Sequence, residues 1–245
     1  MGFAPDDLTC DAFLGGRVHA WQPRQGYRAA MDPVFLAAAC PAKPGQTVLE
    51  LGCGAGVASL CLAARVPELA IIGVERQAAY AELARRNGLE VVTADLTDLP
   101  TDLRTRSFDH VIINPPYYPS GGGTPADDAG REAALREDTP LSGWLGTARA
   151  RLAPKGWLTL IQAADRLPDI IAALDGFGSI TVLPLAPRAA RPANRLILRA
   201  RKSGRAPFVL LPPFLIHEGA QHQIDGDDHS AAAREILRDG RPVNW

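Results

Sequence analysis

Cysteine is scarce in this chain and follows no pattern. The 245 residues include four cysteines, and no two of them form a CxxC pair or the spacing of a disulfide framework: Cys10, Cys40, Cys53 and Cys61. Isolated cysteines of this kind are typical of reduced thiols, so the sequence predicts a cytoplasmic protein without structural disulfides.

A leader segment and long apolar runs are also lacking. Residues Met1–Asp7 contain no basic stretch followed by an apolar one, which disfavours a signal peptide. The apolar runs are short, and Phe208–Ile216 is interrupted by Pro212 and Pro213. A helix that spans a bilayer needs about 20 apolar residues, so we expect no membrane partner.

The chain has little net charge. Its formal charge of −1 excludes a general attraction to nucleic acid, so such binding would require a local basic patch. With 47% apolar residues, the chain is long enough to build one sizeable α/β core.

The middle of the chain alternates short apolar runs with helical stretches. The runs predict strands at Thr47–Cys53, Leu69–Glu75, Glu90–Asp95, Phe108–Asn114 and Trp157–Gln162. The stretches between and after them predict helices at Val57–Arg65, Ala78–Asn87, Leu141–Leu152 and Pro168–Leu174. Such an alternation indicates a parallel sheet covered on both faces. Two later strands, Ser179–Leu185 and Arg195–Arg201, lack a helix between them and should pair antiparallel at one edge.

The motif Asn114-Pro115-Pro116-Tyr117 ends the strand Phe108–Asn114. Prolines fix φ and lack N–H donors, so we expect the backbone carbonyls between them to point outward. The Asn114 carboxamide adds one acceptor and two donors, and Tyr117 adds a flat face for stacking. The motif predicts a site for the planar amino group of a nucleobase or an amide, with Asn114, Pro115 and Tyr117 as catalytic residues.

A glycine-rich turn, Glu50–Gly56, joins the first strand to its helix. Glycines permit a tight turn and the close approach of a ligand, and a helix N-terminus presents free N–H groups to an anion. Dinucleotide sites use a similar loop, but the third glycine of their fingerprint is missing here. Glu50 suits a ligand that bears a positive charge.

Acidic residues end the next two strands. Glu75 can bind two ribose hydroxyls, and Asp95 with its neighbour Leu96 suits the edge and face of an adenine. Each residue alone is also compatible with an exposed strand end, a cap or a simple turn. Because the carboxyl ends of successive parallel strands lie together, the ordered set favours a nucleotide-like cofactor.

Together these pieces resemble the class I S-adenosylmethionine-dependent methyltransferases. The resemblance implies a Rossmann-like, seven-stranded, mostly parallel sheet with helices on both faces and an antiparallel edge strand. It implies S-adenosylmethionine as the cofactor, with the glycine loop at its methionine end, Glu75 at the ribose and Asp95 at the adenine. The implied cofactor-binding residues are Asp32, Glu50, Gly52, Cys53, Gly54, Gly56, Glu75, Asp95, Leu96 and Asn114.

The N-terminal segment narrows the resemblance. Phe13–Arg17, Gln22–Arg28, Met31–Leu36 and the doubled aromatic Tyr117-Tyr118 are similar to bacterial tRNA adenine-N6 methyltransferases that modify an anticodon-loop adenosine in valine tRNA. The resemblance implies methyl transfer to the N6 amino group of an adenine in tRNA.

This resemblance also implies further roles. Pro116 and Tyr118 would contact the substrate, and Asp32 would close over the cofactor. Asp32-Pro33 is equally compatible with a simple cap of the helix Pro33–Ala39. We therefore predict a segment 1–46 that caps the cleft, a methyltransferase core 47–205 and a tail 206–245. The Gly- and Pro-rich loop Pro119–Asp128 is expected to act as a mobile lid.

A local basic patch does exist near the end of the core. Between Ala186 and Ala206 the chain has seven basic residues and no acid: Arg188, Arg191, Arg195, Arg199, Arg201, Lys202 and Arg205. We predict that Arg188, Arg191 and Arg195 contact RNA phosphates. The alternative is a solvated hairpin whose charge prevents edge-to-edge aggregation.

Other functions remain open alternatives. Protein glutamine N5-methyltransferases share the Asn-Pro-Pro-Tyr motif but carry a longer helical N-terminal domain, whereas about 45 residues precede the first core strand here. A DNA adenine methyltransferase would be expected to have a separate target-recognition domain. A catalytically silent cofactor- or RNA-binding relative is disfavoured by the intact motif. The histidines and aspartates between His217 and His229 match no compact ligand spacing, so we expect no metal.

Overall fold

The structure, a computed structural model, describes residues 2–119, 136–137, 139–219 and 228–245. Most of the predicted lid Pro119–Asp128 therefore lies outside the described residues, as do the side chain of Tyr118 and residues 220–227. Within the described ranges, no helix has both the length and the apolar character that crossing a bilayer requires.

The chain begins with an antiparallel hairpin and a helix. Strand β1, Leu8–Phe13, pairs with β2, Val18–Pro23, across the turn Leu14–Gly16, where Gly15 adopts a φ of +64°. Helix α1, Met31–Ala39, follows and is buried from Pro33 onward. The hairpin was not predicted from the sequence.

The remaining elements form a layered α/β domain. Its strands are β3 (Thr47–Leu51), β4 (Ala70–Glu75), β5 (Glu90–Thr93), β6 (Phe108–Ile113), β7 (Tyr118–Pro119), β8 (Arg136–Glu137), β9 (Leu152–Ala163), β10 (Phe177–Ala186), β11 (Arg195–Lys202), β12 (Val209–Leu210) and β13 (Phe214–Leu215). Its helices are α2 (Val57–Arg65), α3 (Ala78–Arg86), α4 (Thr101–Thr105), α5 (Leu141–Arg151), α6 (Leu167–Ala173) and α7 (Ala231–Asp239).

The main sheet confirms the predicted fold class. Its seven principal strands follow the order β5-β4-β3-β6-β9-β11-β10, and β3, β4, β5, β6 and β9 are parallel. The short strands β12 and β13 both add to β10, which brings the sheet to nine strands among the described residues.

The antiparallel strand lies inside the sheet and not at its edge, which corrects one detail of the prediction. Strand β11 runs antiparallel to both β9 and β10 and lies between them. Its central residues Leu196, Ile197 and Leu198 are buried, as expected for a strand covered on both faces. The hairpin β10–β11 thus inserts its second strand and leaves β10 further out.

Apolar residues form a core on each face of the sheet. Ile112 of β6 packs with α1 and α2, whereas its neighbour Ile113 packs on the other face with α5. Successive residues of a strand point to opposite faces, so one continuous apolar strand supplies both cores.

The described end of the chain packs onto α1. Ser230 caps α7 by accepting from the backbone N–H of Ala233 at 3.1 Å. Val243 donates its N–H to the carbonyl of Ala38 at 2.9 Å, and the Trp245 ring lies 3.6 Å from the Arg199 guanidinium. These contacts join residues 228–245 to the same core, while the division into segments remains a prediction.

Candidate active site

A cavity opens at the carboxyl ends of β3, β4, β5 and β6. Its volume is about 1030 Å³, including the open mouth. Eleven of the predicted site residues line it: Glu50, Gly52, Cys53, Gly54, Glu75, Asp95, Leu96, Asn114, Pro115, Pro116 and Tyr117. Five other predicted residues with described side chains do not line it: Asp32, Gly56, Arg188, Arg191 and Arg195.

The glycine turn fastens to β4 and ends at a helix. Gly52 and Gly56 have φ angles of +69° and +85°, which favour glycine. The backbone N–H groups of Gly52 and Cys53 donate to the Val74 carbonyl at 2.8 and 3.0 Å. Gly56 is the N-cap of α2 and has no side chain to cap it. The Ser59 N–H of the first turn donates to Glu50, whereas Val57 and Ala58 of the same turn line the cavity. Gly56 shapes the site without lining it.

Glu50 is buried beneath the turn at only 3% exposure. Its Oε2 atom accepts from the backbone N–H of Ser59 at 3.1 Å and from the Ser59 hydroxyl. Burial raises the pKa of Glu50 to about 8, against the opposing effect of the Ser59 hydrogen bonds. A cationic ligand group placed beside Glu50 would therefore favour its carboxylate form.

Glu50 should make stability depend on pH. Its folded pKa of about 8 exceeds the unfolded value of ~4.3, so stability present at acid pH is lost as pH rises through this range. We expect the free energy of unfolding to fall by up to a few kcal/mol, at roughly 1.4 kcal/mol per pKa unit, and Glu50→Gln to remove most of the fall. Urea titrations from pH 5 to pH 9 measure this, with the exposed Glu90→Gln as control. Parallel pH profiles for wild type and Glu50→Gln would contradict it.

The two strand-end acids have different environments. The carboxylate of Glu75 accepts from the backbone N–H groups of Gly54 at 2.9 Å and Gln77 at 2.8 Å, while burial raises its pKa. Asp95 accepts from the backbone N–H and the hydroxyl of Thr97, and these bonds lower its pKa. Glu75 therefore organises the glycine turn as well as facing the cavity, and Asp95 is the more readily ionised of the two.

The proline carbonyls of the Asn-Pro-Pro-Tyr motif turn toward β9, which corrects the expectation that they point outward. The buried Gln162 donates through Nε2 to the carbonyls of Pro115 and Pro116 at 3.3 and 2.9 Å. A buried amide needs hydrogen-bond partners, and these carbonyls supply them. The Asn114 carboxamide projects into the cavity wall with its Nδ2 atom 3.5 Å from the Tyr27 hydroxyl.

Tyr117 is held by two residues from distant parts of the chain. Its hydroxyl lies 2.5 Å from Asp32 Oδ2, and the Arg195 guanidinium lies 4.4 Å from the centre of its ring. Arg195 Nε also donates to Asp32 Oδ2 at 3.2 Å. The interpretation of Asp32 as a helix cap is wrong, because Ala30 is the N-cap of α1 and no side chain caps it. The position of Asp32 favours contact with Tyr117 over contact with the cofactor.

The basic run divides into residues with different surroundings. Arg188 pairs with Asp228 and donates to the Glu218 carbonyl, whereas Arg191 is exposed. Arg199 packs between Trp157 and Trp245, and burial lowers its pKa to about 10. Acids from elsewhere in the chain thus neutralise part of a run that has none in sequence. Because β11 begins at the cavity edge of the sheet, the residues after Arg195 lead away from the site.

Tyr80 of α3 and Asn87, the C-cap of that helix, clamp the N-terminal segment to the core. Asn87 accepts from the backbone N–H of Trp21 at 2.8 Å and donates to its carbonyl at 3.0 Å. The Tyr80 hydroxyl accepts from the N–H of Tyr27 at 2.8 Å and donates to its carbonyl at 3.2 Å. Tyr27 thereby lines the cavity. None of these contacts was predicted, since nothing in the local sequence of these residues indicates a partner more than 50 positions away.

Trp144 of α5 is a further wall residue that the sequence did not indicate. Its ring lies against Gly52, and its Nε1 donates to the Thr139 carbonyl at 3.2 Å. Gln162 had a weak signal, since it is a polar residue inside an apolar strand. Trp144 had none, because a tryptophan in a helix is usually a core residue.

The histidine region pairs within itself. His217 Nδ1 lies 2.7 Å from Asp228 Oδ1, and the His217 ring stacks on His229 with 4.9 Å between centroids. His222, Asp225 and Asp227 lie outside the described residues. In the ranges that the structure does describe, no group of three or more His, Cys, Asp or Glu side chains is arranged to hold a metal ion.

Residues 31–128 match the family model of the methyltransferase small domain. A tRNA1(Val) (adenine(37)-N6)-methyltransferase of Porphyromonas gingivalis is 32% identical over 178 residues, which cover 66% of this chain and 69% of that protein. A tRNA1(Val) (adenine(37)-N6)-methyltransferase of Shewanella baltica is 30% identical over 174 residues, which cover 66% of this chain and 72% of that protein. A 4-amino-L-phenylalanine/4-methylamino-L-phenylalanine methyltransferase of Streptomyces pristinaespiralis is 33% identical over 51% of this chain and 46% of its own length.

Solved structures give the same fold. A crystal structure described as a predicted O-methyltransferase of Agrobacterium tumefaciens superimposes with a TM-score of 0.71 at 28% identity, over 87% of this chain and 98% of that one. The precorrin-6y C5,15-methyltransferase of Geobacter metallireducens gives 0.51 at 15% identity, which bears on the fold alone. These similarities agree with the site, where the glycine turn, the strand-end acids and the Asn-Pro-Pro-Tyr motif share one cavity. The chain therefore belongs to the S-adenosylmethionine-dependent methyltransferases, in the family of the tRNA1(Val) (adenine(37)-N6)-methyltransferases.

Proposed function

We propose that this methyltransferase acts on the N6 amino group of an adenine in tRNA. The observation that carries the proposal is the Asn114 carboxamide, which lies in the wall of the cavity that also contains the glycine turn and both strand-end acids. The names of the relatives from Porphyromonas gingivalis and Shewanella baltica support the same acceptor.

The residues of the cavity fit the cofactor. S-adenosylmethionine supplies an electrophilic methyl group when bound. Glu50 would face the cationic part of the cofactor, the carboxylate of Glu75 suits ribose hydroxyls, and Asp95 with Leu96 suits an adenine. The turn at Gly52 is closely fitted, because a Cβ atom there would lie 2.6 Å from the Trp144 ring. This leaves the space beside the turn for a ligand and not for side chains.

Asn114 prepares the nucleophile. An aromatic amine is a poor nucleophile because its lone pair is conjugated with the ring. When the amine donates to Asn114 Oδ1 and to the remaining lone pair of the Pro115 carbonyl, its own lone pair is turned toward the methyl group. As the N–C bond forms, the S–CH3 bond of the sulfonium would break and its electron pair would stay on sulfur, which leaves a neutral thioether. The new N–C bond makes the amine proton acidic, and the proton leaves to water, so no separate general base is needed before attack.

Tyr117 would bind the base, and the basic run between Ala186 and Ala206 would bind the RNA backbone. Arg195 occupies one face of the Tyr117 ring, so the base stacks on the other face after it has been extruded from the RNA. Such stacking contributes ~1–3 kcal/mol per base. Pro116 lines the cavity and would contact the base, and the exposed Arg191 would contact phosphate. The substrate contact predicted for Tyr118 concerns a side chain outside the described residues. Arg188 and Arg195 act less directly, since each is paired with an acid.

Other acceptors share part of this chemistry. The Streptomyces pristinaespiralis relative is named for methylation of an aryl amine on a free amino acid, which the same carboxamide can orient. A glutamine side chain or a DNA adenine also presents a planar amino group.

We propose a cytoplasmic location. The cysteines of the described residues are all free, which agrees with a reducing compartment such as the cytoplasm.

Methyl transfer from tritiated S-adenosylmethionine distinguishes these acceptors. We expect label to enter bulk tRNA and to be recovered as N6-methyladenosine after digestion to nucleosides. DNA, a release-factor peptide and 4-amino-L-phenylalanine form the comparison arms, and Asn114→Ala is the blank. Label in one of those three and not in tRNA would replace the acceptor, and no label in any arm would favour a silent relative.

A further inference from the structure

The hydroxyl of Tyr117 faces two acceptors and has one hydrogen to donate. It lies 2.5 Å from Asp32 Oδ2 and 3.1 Å from the carboxamide oxygen of Asn114. A phenol can donate to only one of them at a time. The choice decides whether the Asn114 oxygen is already occupied when a substrate amine arrives.

The geometry favours Asp32 as the acceptor. Hydrogen bonds to a carboxylate are shorter and stronger than those to a neutral amide, and the Asp32 contact is the shorter of the two by 0.6 Å. The Arg195 guanidinium donates to the same Asp32 oxygen at 3.2 Å, so Asp32 is the acceptor that also takes part in an ion pair. Asn114 Oδ1 then faces a lone pair of the phenol and gains no hydrogen bond from it.

The other end of the carboxamide is oriented as well. Asn114 Nδ2 lies 3.5 Å from the Tyr27 hydroxyl, and the Tyr27 backbone is fixed by Tyr80. With its nitrogen toward Tyr27, the carboxamide keeps its oxygen on the side of Tyr117. An acceptor without a donor in a partly buried wall is costly unless a ligand supplies the donor.

We infer that Asp32 is a positioning residue that draws the Tyr117 proton away from Asn114, so that the carboxamide oxygen is left to accept the N–H of the substrate amine. The inference rests on the proposed function and adds a specific role to a residue remote in sequence. Without Asp32, the Tyr117 hydroxyl rotates, donates to Asn114 Oδ1 and competes with the substrate at the atom that orients it.

A double-mutant cycle tests this role through activity. Asp32→Ala should lower kcat roughly 10- to 100-fold, the range of one competing hydrogen bond, with S-adenosylmethionine affinity within about threefold. Tyr117→Phe removes the competing hydroxyl and should cost less. In Asp32→Ala/Tyr117→Phe, kcat should return to that of Tyr117→Phe alone. A double variant as slow as the product of the two single losses would overturn the inference.

Arg195→Gln is the matched control. It removes the ion pair but leaves the Asp32 carboxylate to accept the Tyr117 proton, so kcat should fall much less than in Asp32→Ala. An Arg195→Gln variant as slow as Asp32→Ala would mean that the ion pair, and not the proton, is what matters.

Nuclear magnetic resonance tests the hydrogen bond without any methyl transfer. The chain has four tyrosines, so a carbon-13 label at Cζ gives few signals, and Tyr117→Phe assigns one of them. We expect Asp32→Ala to shift the Tyr117 signal and Asn114→Ala to leave it nearly unchanged. A signal that responds to Asn114→Ala and not to Asp32→Ala would overturn the inference. A wild-type enzyme that methylates no adenine would instead defeat the proposed function.

Discussion

Replacing Asn114 by alanine is expected to abolish methyl transfer, with a fall in rate of at least roughly 1,000-fold and S-adenosylmethionine affinity within about threefold. The carboxamide is the side-chain group of residue 114 that can orient an amine, and alanine removes it without filling the cavity. Cofactor-facing groups lie on β3, β4 and after β5, so they should keep their geometry. Single-turnover transfer from tritiated S-adenosylmethionine and calorimetric titration of the cofactor separate the two effects.

Asn194→Ala is the control for this substitution. Asn194 is exposed in the loop before β11, near the same edge of the sheet, and its backbone makes the loop's hydrogen bonds. Its activity should equal that of wild type. Near-normal turnover by Asn114→Ala would remove the motif from the chemistry, and a large loss of cofactor affinity would mean that the side chain acts by holding the cofactor.

Replacing Gly52 by alanine is expected to lower cofactor affinity at least roughly 100-fold, which corresponds to about 2.7 kcal/mol. The added Cβ would lie 2.6 Å from Cη2 and 2.9 Å from Cζ3 of Trp144, and the φ of +69° is unfavourable for alanine. Trp144 is only 8% exposed, so its ring has little room to retreat into the core. Either the ring tips into the cavity or the turn leaves β4, and both occupy or distort the cofactor space.

Gly146→Ala is the matched control, because a Cβ there meets nothing within 4 Å. Gly146 lies on the same helix as Trp144, and alanine favours helix, so stability should rise by roughly 0.5–1 kcal/mol with affinity unchanged. Calorimetric titration and urea unfolding measure both variants. Cofactor affinity within a few-fold of wild type in Gly52→Ala would show that Trp144 yields more easily than its burial implies.

Much of the fold could be predicted because local pattern determines it. Helix α2 begins and ends where predicted, since glycines precede Val57 and the apolar stretch stops at Arg65. Strand β9 was predicted to begin at Trp157, because Pro154 and Gly156 normally mark a turn. In the structure it begins five residues earlier, at Leu152. Here Pro154 and Gly156 lie beside an irregular register between β6 and β9, which sequence pattern does not reveal.

The insertion of β11 into the sheet could not be predicted from pattern alone. A hairpin signal indicates that β10 and β11 pair, but not which of them then pairs with β9. In the structure, the burial of Leu196–Leu198 agrees with the central position of β11. In the sequence, an apolar run of that length is compatible with an edge strand or a central one.

In the site, as in the fold, local sequence pattern could be interpreted and long-range contacts could not. Motif residues such as Glu50, Glu75 and Asn114 were predicted because they end strands in a known order. The contacts that hold the Asn-Pro-Pro-Tyr motif were not predicted: Gln162 is 47 positions from Pro115, and Asp32, which was predicted at the cofactor, is 85 positions from Tyr117. Such contacts arise from the packing of whole elements, and a single sequence does not specify their pairing.

The clamp between α3 and the N-terminal segment has a consequence for the order of folding. Asn87 and Tyr80 hold residues 66 and 53 positions earlier in the chain, so the segment made first cannot dock until α3 has formed. Contacts of such sequence separation form slowly because the intervening loop must close first. A bound cofactor that requires the docked segment would favour its docking by mass action.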